Sequence, residues 1–405
     1  MREEMRVLLI GIGGAGCRIA DALSLHDTRS RSLRCIDAVA VDNNADDLTS
    51  LQTIPHENRI FFQSLDPSHT HVTPDMLPHD EIVARLHSLD PGDIDALVIA
   101  SGLGGTMCSL IPDLVQVLRD RMDEPVFGIL TLPCVREGEA VQERAADTIT
   151  ALAPLLDGTI LYDNELWYHR AAGMGEDHEI SGRADFEFRL PWQKPVIPTV
   201  MVSRGYHEIN AMIARQINLL LRAGEVSDRP MEESAEVALD SGEILNTIKG
   251  MGWIAIGYDR ERIPALNPDL ITRLRPASHS IQESHQKAFR LVTMARKAVG
   301  EGISVSCDLK DAQKALVLVA GPPNELSMRG YMTIRHWIDR SISGQEVRSG
   351  DYPVSTTQYI AVLIVLAGLS RVPRVESLRR KEGGSGATGN SGPEPVDRSP
   401  GSDNL

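Results

Sequence analysis

Two glycine-rich stretches carry the residue types best suited to chemistry in this 405-residue chain. The first, GIGGAGC (residues 11–17), follows an apolar run at 6–10 and precedes a helical pattern at 18–23. Gly11, Gly13 and Gly16 fall on the spacing G-x-G-x-x-G, a tight turn that brings the unpaired N–H groups of a helix start up to a phosphate. The second, SGLGGTMCS (residues 101–109), follows the run DALVIA and again opens a helical pattern. Gly102, Gly104 and Gly105 let main chain approach an anion, and the Thr106 hydroxyl offers one more hydrogen bond. Either turn alone could simply pack a strand against a helix, but two on neighbouring strand ends suit a polyphosphate. Asp42, at the end of the second predicted strand, stands where a dinucleotide fold keeps its ribose-binding acid, so a nicotinamide-dependent oxidoreductase competes with a nucleoside triphosphate protein. No lysine follows the glycines in the manner of G-x-x-x-x-G-K-[ST], which argues against a P-loop ATPase.

The elements that must hold these turns read as α/β. Short β-branched runs at 7–10, 37–41, 96–100, 126–132 and 159–162 alternate with helical patterns at 109–122 and 140–156, which predicts a parallel sheet covered on both faces. Residues 167–194 are polar and aperiodic and read as a surface insertion. One long, largely apolar helix follows, with strands expected at 252–257, 315–320 and 359–366 and helices near 284–299 and 326–342 in an α/β or α+β second unit. The implied division is 1–205 for the nucleotide domain, 206–225 for the central helix, 226–376 for a C-terminal domain and 377–405 for a disordered Gly, Ser and Pro-rich tail.

Composition narrows the function classes. A net charge of −15 opposes general binding to nucleic acid or to anionic membranes. Five scattered cysteines without a C-x-x-C pair suggest a reduced cytoplasmic protein with neither disulfides nor a zinc site. The N-terminus lacks a signal peptide's apolar stretch, and the longest apolar run, at 359–369, is too short to span a bilayer. The histidines and acids of residues 66–80 match no common ligand spacing, so no metal site is expected. Cys108 and Cys134 have no base beside them in sequence and read as packing residues. The basic run RSRSLR (residues 29–34) reads as a solvated loop.

Taken in order, these stretches resemble the tubulin/FtsZ superfamily of GTP-dependent filament proteins, closest to its archaeal FtsZ-like or CetZ-like members, over about residues 5–372. GIGGAGC resembles the first phosphate loop, with Gly11, Gly13, Gly14, Ala15, Gly16, Cys17 and Arg18 at the nucleotide. AVDNNADDL (40–48) resembles A-x-N-T-D-x-x-x-L and puts Asn44 at the usual aspartate. GLGGTMCS stands for G-G-G-T-G-[ST]-G, LPCVREG for P-F-x-x-E-G with Glu137 on the ribose, and LYDNE for the next loop with Asn164 near the sugar or base. INAMIARQINLLL resembles the central helix, with Asn210 at the guanine.

The resemblance implies a Rossmann-like GTPase domain with a parallel sheet, a central long helix, an α+β C-terminal domain and bound GTP or GDP, Mg2+ being carried with the nucleotide. It further implies assembly with itself or another FtsZ-like protein, and a role in cell division or cell shape. Hydrolysis in the family needs a neighbour's N-x-D-x-x-D loop. Here ALDSGE takes that place, with Ala238 for the asparagine and Asp240 and Glu243 for the acids. The same D-x-x-E spacing is also an ordinary helix N-cap. The signature loop is one residue short, and Met107, Cys108 and Ser109 replace glycine-containing positions, so crowding of the phosphates is expected. A hydrolysis-deficient partner of a true family member is the corresponding alternative. Arg18 replaces the first loop's usual asparagine and is free to pair with a phosphate or with an acid.

Overall fold

The computed structural model describes residues 5–29, 34–63, 72–90, 92, 94–174, 199–223, 239–263 and 277–385. Ten strands, β1 (Val7–Ile12), β2 (Ile36–Asp42), β3 (Arg59–Phe61), β4 (Ala96–Gly102), β5 (Val126–Leu132), β6 (Gly158–Asp163), β7 (Trp253–Arg262), β8 (Lys314–Gly321), β9 (Glu346–Pro353) and β10 (Tyr359–Leu369), form one sheet. Its order is β3-β2-β1-β4-β5-β6-β7-β10-β8-β9. From β3 to β6 every pair is parallel. β7 joins β6 through two registered residue pairs, and β10 then runs antiparallel between β7 and β8. The sheet is therefore mostly parallel, as expected, and continues unbroken from the nucleotide unit into the C-terminal one.

The helices are α1 (Gly13–Arg29), α2 (Ala45–Thr49), α3 (His79–Leu89), α4 (Ile111–Arg121), α5 (Glu139–Leu152), α6 (Asn164–Met174), α7 (Thr199–Leu221), α8 (Ser241–Ile248), α9 (Ala277–Gly300), α10 (Met328–Ser341) and α11 (Pro373–Ser385). Buried residues of α3, α4, α5, α9, α10 and α11 form the core on one face, and those of α1, α7 and α8 form it on the other. In β1 the side chains alternate between the two, with Leu8, Ile10 and Ile12 in the first core and Val7 and Leu9 in the second. A strand buried on both faces must be apolar throughout, which is why these runs were conspicuous in the sequence.

Boundaries shift in three places. The first eight residues of the expected insertion, 167–174, belong to α6, while 175–194 lie outside the described residues. α7 starts at Thr199, ahead of the expected 206, and ends at Leu221. The expected tail is helical as far as Ser385 in α11, and 386–405 lie outside the described residues, as do 30–33 of the basic run and 66–71 of the histidine-rich stretch. Among the described residues no helix is long and apolar enough to cross a membrane.

Candidate functional site

The strand order of the first six strands, 3-2-1-4-5-6, reverses direction between β1 and β4, and in such sheets ligands sit outside the carboxyl ends of the strands at that point. Both glycine turns leave from those two strand ends. A cavity of about 420 Å³ opens there, and Gly13, Gly14, Ala15, Arg18, Asn44, Gly102, Gly104, Gly105, Thr106, Met107, Glu137, Asn164 and Asn210 all line it.

The first loop has no slack, since β1 ends at Ile12 and α1 begins at Gly13. Gly13 holds φ at +70°, in the left-handed region that favours glycine. Gly11, Gly16 and Cys17 do not line the cavity; they lie beneath it. A β-carbon on Gly16 would stand 2.1 Å from the Ala100 carbonyl oxygen, so this glycine lets α1 press onto β4. Cys17 Sγ is 3.4 Å from the Gly11 carbonyl oxygen, and burial pushes its thiol pKa far up.

The second loop is tied to the first by Ser101, whose hydroxyl donates to the Ile12 carbonyl over 3.1 Å. Arg144 Nη1 donates to the Gly104 carbonyl over 2.9 Å and holds the loop from behind. A 3-10 turn, Thr106–Leu110, intervenes before α4, so the helix opens later than its sequence pattern suggested. Crowding is less than expected. Only Met107 of the three replacing side chains lines the cavity. Cys108 turns into the core, its Sγ 3.3 Å from the Leu103 carbonyl oxygen, and Ser109 folds back to donate to the Thr106 carbonyl over 2.9 Å.

At the opposite wall Glu137 Oε1 accepts from the Cys134 amide over 2.7 Å and from the Tyr206 hydroxyl over 3.2 Å. Burial, with the Glu137 charge beside it, raises the Tyr206 phenol well above its usual range. Burial with the same neighbour pushes the Cys134 thiol up to about 12, which keeps it a packing residue and no nucleophile. Asn164 opens α6 with its Oδ1 buried and without a protein partner. Behind this wall Arg374 of α11 donates to the Pro133 carbonyl over 2.6 Å and to Gln142 Oε1 over 2.8 Å, with its Nε 3.6 Å from Asp163 Oδ1.

The third wall is acidic. Asn44 caps α2, its Oδ1 accepting from the Asp46 amide over 3.0 Å and its Nδ2 donating to Asp47 Oδ2 over 3.3 Å. Arg18 Nη1 meets the other Asp47 oxygen at 2.8 Å. Asp42 is only 2% exposed. Its Oδ1 accepts from the Asn44 amide over 3.2 Å, while Oδ2 has no protein partner. Burial above all pushes its pKa up to about 6, the Asp47 charge adding to the rise while the Asn44 and Asn43 amides and Arg18 oppose it.

Oxygen donors of this kind suit a hard divalent cation carried on phosphates. Among the described residues no group of three or more His, Cys, Asp or Glu side chains could hold a metal unaided. The orphan Asp42 oxygen is an acceptor that the water of such a cation could use.

Asp240 and Glu243 are elsewhere. Asp240 is exposed and caps α8, its Oδ1 accepting from the Glu243 amide over 2.6 Å, and Glu243 Oε1 is 3.0 Å from Arg348 Nη1. The end of α8 meets the starts of the parallel strands, where the Gly250 amide donates to the Asp157 carbonyl just before β6. The cavity lies past the far end of β6, about 20 Å away along six residues of strand. Ala238 lies outside the described residues.

Tyr206, Asp47, Asn43, Thr131 and Pro133 also line the cavity, beyond the residues that the sequence motifs single out. Tyr206 stands four residues before Asn210, one helical turn away on the same face, and that spacing was its available signal. Asp47 stands three residues after Asn44, which gave the same kind of signal.

Residues 6–172 match the tubulin/FtsZ family GTPase domain, and residues 200–382 match the C-terminal domain of tubulin-like CetZ. The chain is 30% identical over 391 residues to tubulin-like protein CetZ5 of Haloferax volcanii, covering 93% of this chain and 91% of that one. It resembles the GDP-bound monomer of CetZ1 from Haloferax volcanii with a TM-score of 0.72 at 26% identity, over 94% of this chain and 100% of that one. The GTPγS-bound protofilament of CetZ2 from the same organism gives 0.70 at 26% identity, over 95% of this chain and 100% of that one. A six-strand parallel half with two glycine turns at its switch point, joined in one sheet to a CetZ-type C-terminal half, places this chain in the tubulin/FtsZ superfamily, as a member of its archaeal CetZ family.

Proposed function

We propose that the chain binds GTP or GDP, with Mg2+ carried on the phosphates, assembles head to tail with further copies or with another family member, and hydrolyses GTP at the contact between copies. The glycine turns and Arg18 take the phosphates, and Glu137, Asn164 and Asn210 take the nucleoside. Asp240 and Glu243 act on the nucleotide of the adjoining copy, polarising the attacking water.

One observation carries the reading: the cavity and the acid-bearing turn lie at opposite ends of the same parallel strands. An exposed carboxylate that cannot reach its own cavity is placed to reach that of a copy stacked behind it. Such a contact joins two different surfaces and repeats without closing, which makes a filament. The GTPγS-bound protofilament of CetZ2 supports the same arrangement. The setting is the cytoplasm and the role is control of cell shape or division. Family membership disfavours the dehydrogenase, and two intact acids with an open second loop disfavour a hydrolysis-deficient partner.

GTP turnover and pelleting by ultracentrifugation, on wild type and Asp240→Ala, test this. The variant is expected to bind GTP and pellet like wild type while its turnover falls at least 100-fold, the scale of losing a positioned acid–base group. Equal turnover in the two proteins, or no GTP-dependent pelleting of wild type, overturns the reading.

A further inference from the structure

The Arg18–Asp47 pair lies on the first glycine turn itself. Arg18 follows Gly14 by one turn of α1, and its Nη1 holds Asp47 Oδ1 at 2.8 Å. Asp47 Oδ2 stands 2.5 Å from the position a β-carbon would take on Gly14, and Arg18 Nη1 stands 3.2 Å from that same point. A side chain at position 14 would push this ion pair aside. The first N–H groups of α1 are the positive pole to which a phosphate would be drawn, and a carboxylate of the chain's own lies beside that first turn, held by Arg18 and by Asn44 Nδ2.

Two independent features mark the cavity as built for a ligand: Asp42 Oδ2 and Asn164 Oδ1 are both buried in its wall without a protein partner. The ion pair, by contrast, is accessible, with side-chain exposures of 49% for Arg18 and 32% for Asp47, and Asp47 rides on the single turn of α2. It can open without disturbing either core.

We propose that Asp47 is an internal stand-in for phosphate, displaced when the phosphate chain of a nucleotide binds, and that Arg18 is thereby released to become a phosphate ligand. This rests on the guanine-nucleotide reading and adds its regulation. The exchange is non-covalent: the guanidinium trades its bond to one carboxylate oxygen for a bond to a phosphate oxygen, and Asp47 leaves Arg18 and Asn44 for solvent. Asp47 therefore lowers the affinity of the site for phosphates and leaves recognition of the nucleoside untouched.

Calorimetric titration of the full chain with GDP and with guanosine, each in Mg2+ and in EDTA, tests the proposal. Asp47→Asn keeps the shape and removes the charge, and is expected to bind GDP about tenfold tighter in both media with guanosine unchanged. Asp47→Ala should show the same direction, and Arg18→Gln should bind GDP about tenfold more weakly. Unchanged or weaker GDP binding by both Asp47 variants, at an unchanged melting temperature, overturns the proposal and makes the aspartate a support for Arg18. A loss confined to the Mg2+ arm also overturns it, by giving Asp47 to the cation. Wild type that takes up neither GDP nor guanosine removes the nucleotide reading instead.

Discussion

Asp42 is a carboxylic acid buried beside a second acid, with one oxygen satisfied and the other orphaned. Its pKa rises from 3.8 to about 6 on folding, so between those values the folded chain binds more protons than the unfolded one. Stability from this group is full below pH 4 and is lost as pH rises through about 6, an effect on the order of 2–3 kcal/mol. Urea unfolding of wild type and Asp42→Asn across pH 4–7 should therefore give curves that diverge, with the variant gaining on wild type as pH rises; parallel curves would remove the effect. At this scale the sequence disclosed residues whose role is set by backbone geometry, since Gly13 and Gly16 announce a turn and a close approach wherever they occur. It did not disclose that Gly16 serves packing or that Asp47 pairs with Arg18 beside Gly14, because both depend on what a distant strand or helix brings alongside.

Among the elements, α11 does most to join the far end of the chain to the nucleoside wall. Arg374 fastens the loop after β5 through the Pro133 carbonyl and the strand before α6 through Asp163, both on the approach to lining residues. Its side chain and that of Asp163 are 10% and 7% exposed, so deleting the guanidinium takes the ion-pair partner from a buried carboxylate and leaves it the Glu165 amide. Arg374→Ala is expected to cost about 3 kcal/mol by chemical denaturation and to weaken GDP and guanosine alike, since the phosphate turns are held independently. A lysine should recover part of the stability and little of the binding, because it lacks the fork. The strands missed in the sequence are the two edges of the sheet. β3 is three residues long, and β9, EVRSGDYP, carries charge, glycine and proline as edges do. Apolar runs reveal a strand only where both its faces are covered.

Over the whole molecule, the proposed sharing of one site between two copies can be tested without any structure of the assembly. A variant without Asp240 and a variant unable to hold nucleotide, Asn210→Ala with Glu137→Gln, should each be inactive. Mixed in equal amounts they should regain turnover at about a quarter of contacts, those in which an intact cavity meets an intact acid. No recovery in mixtures that still pellet would place catalysis within one chain.

The seam between β6 and β7 is the narrowest bond in the sheet. Two residue pairs, Thr159 with Trp253 and Ile160 with Ile254, hold it, whereas six hold β5 to β6. What closes this seam is packing: each of the two cores draws side chains from both halves, and Arg374 reaches across to the Pro133 carbonyl, so the halves are locked together by side chains more than by strand pairing.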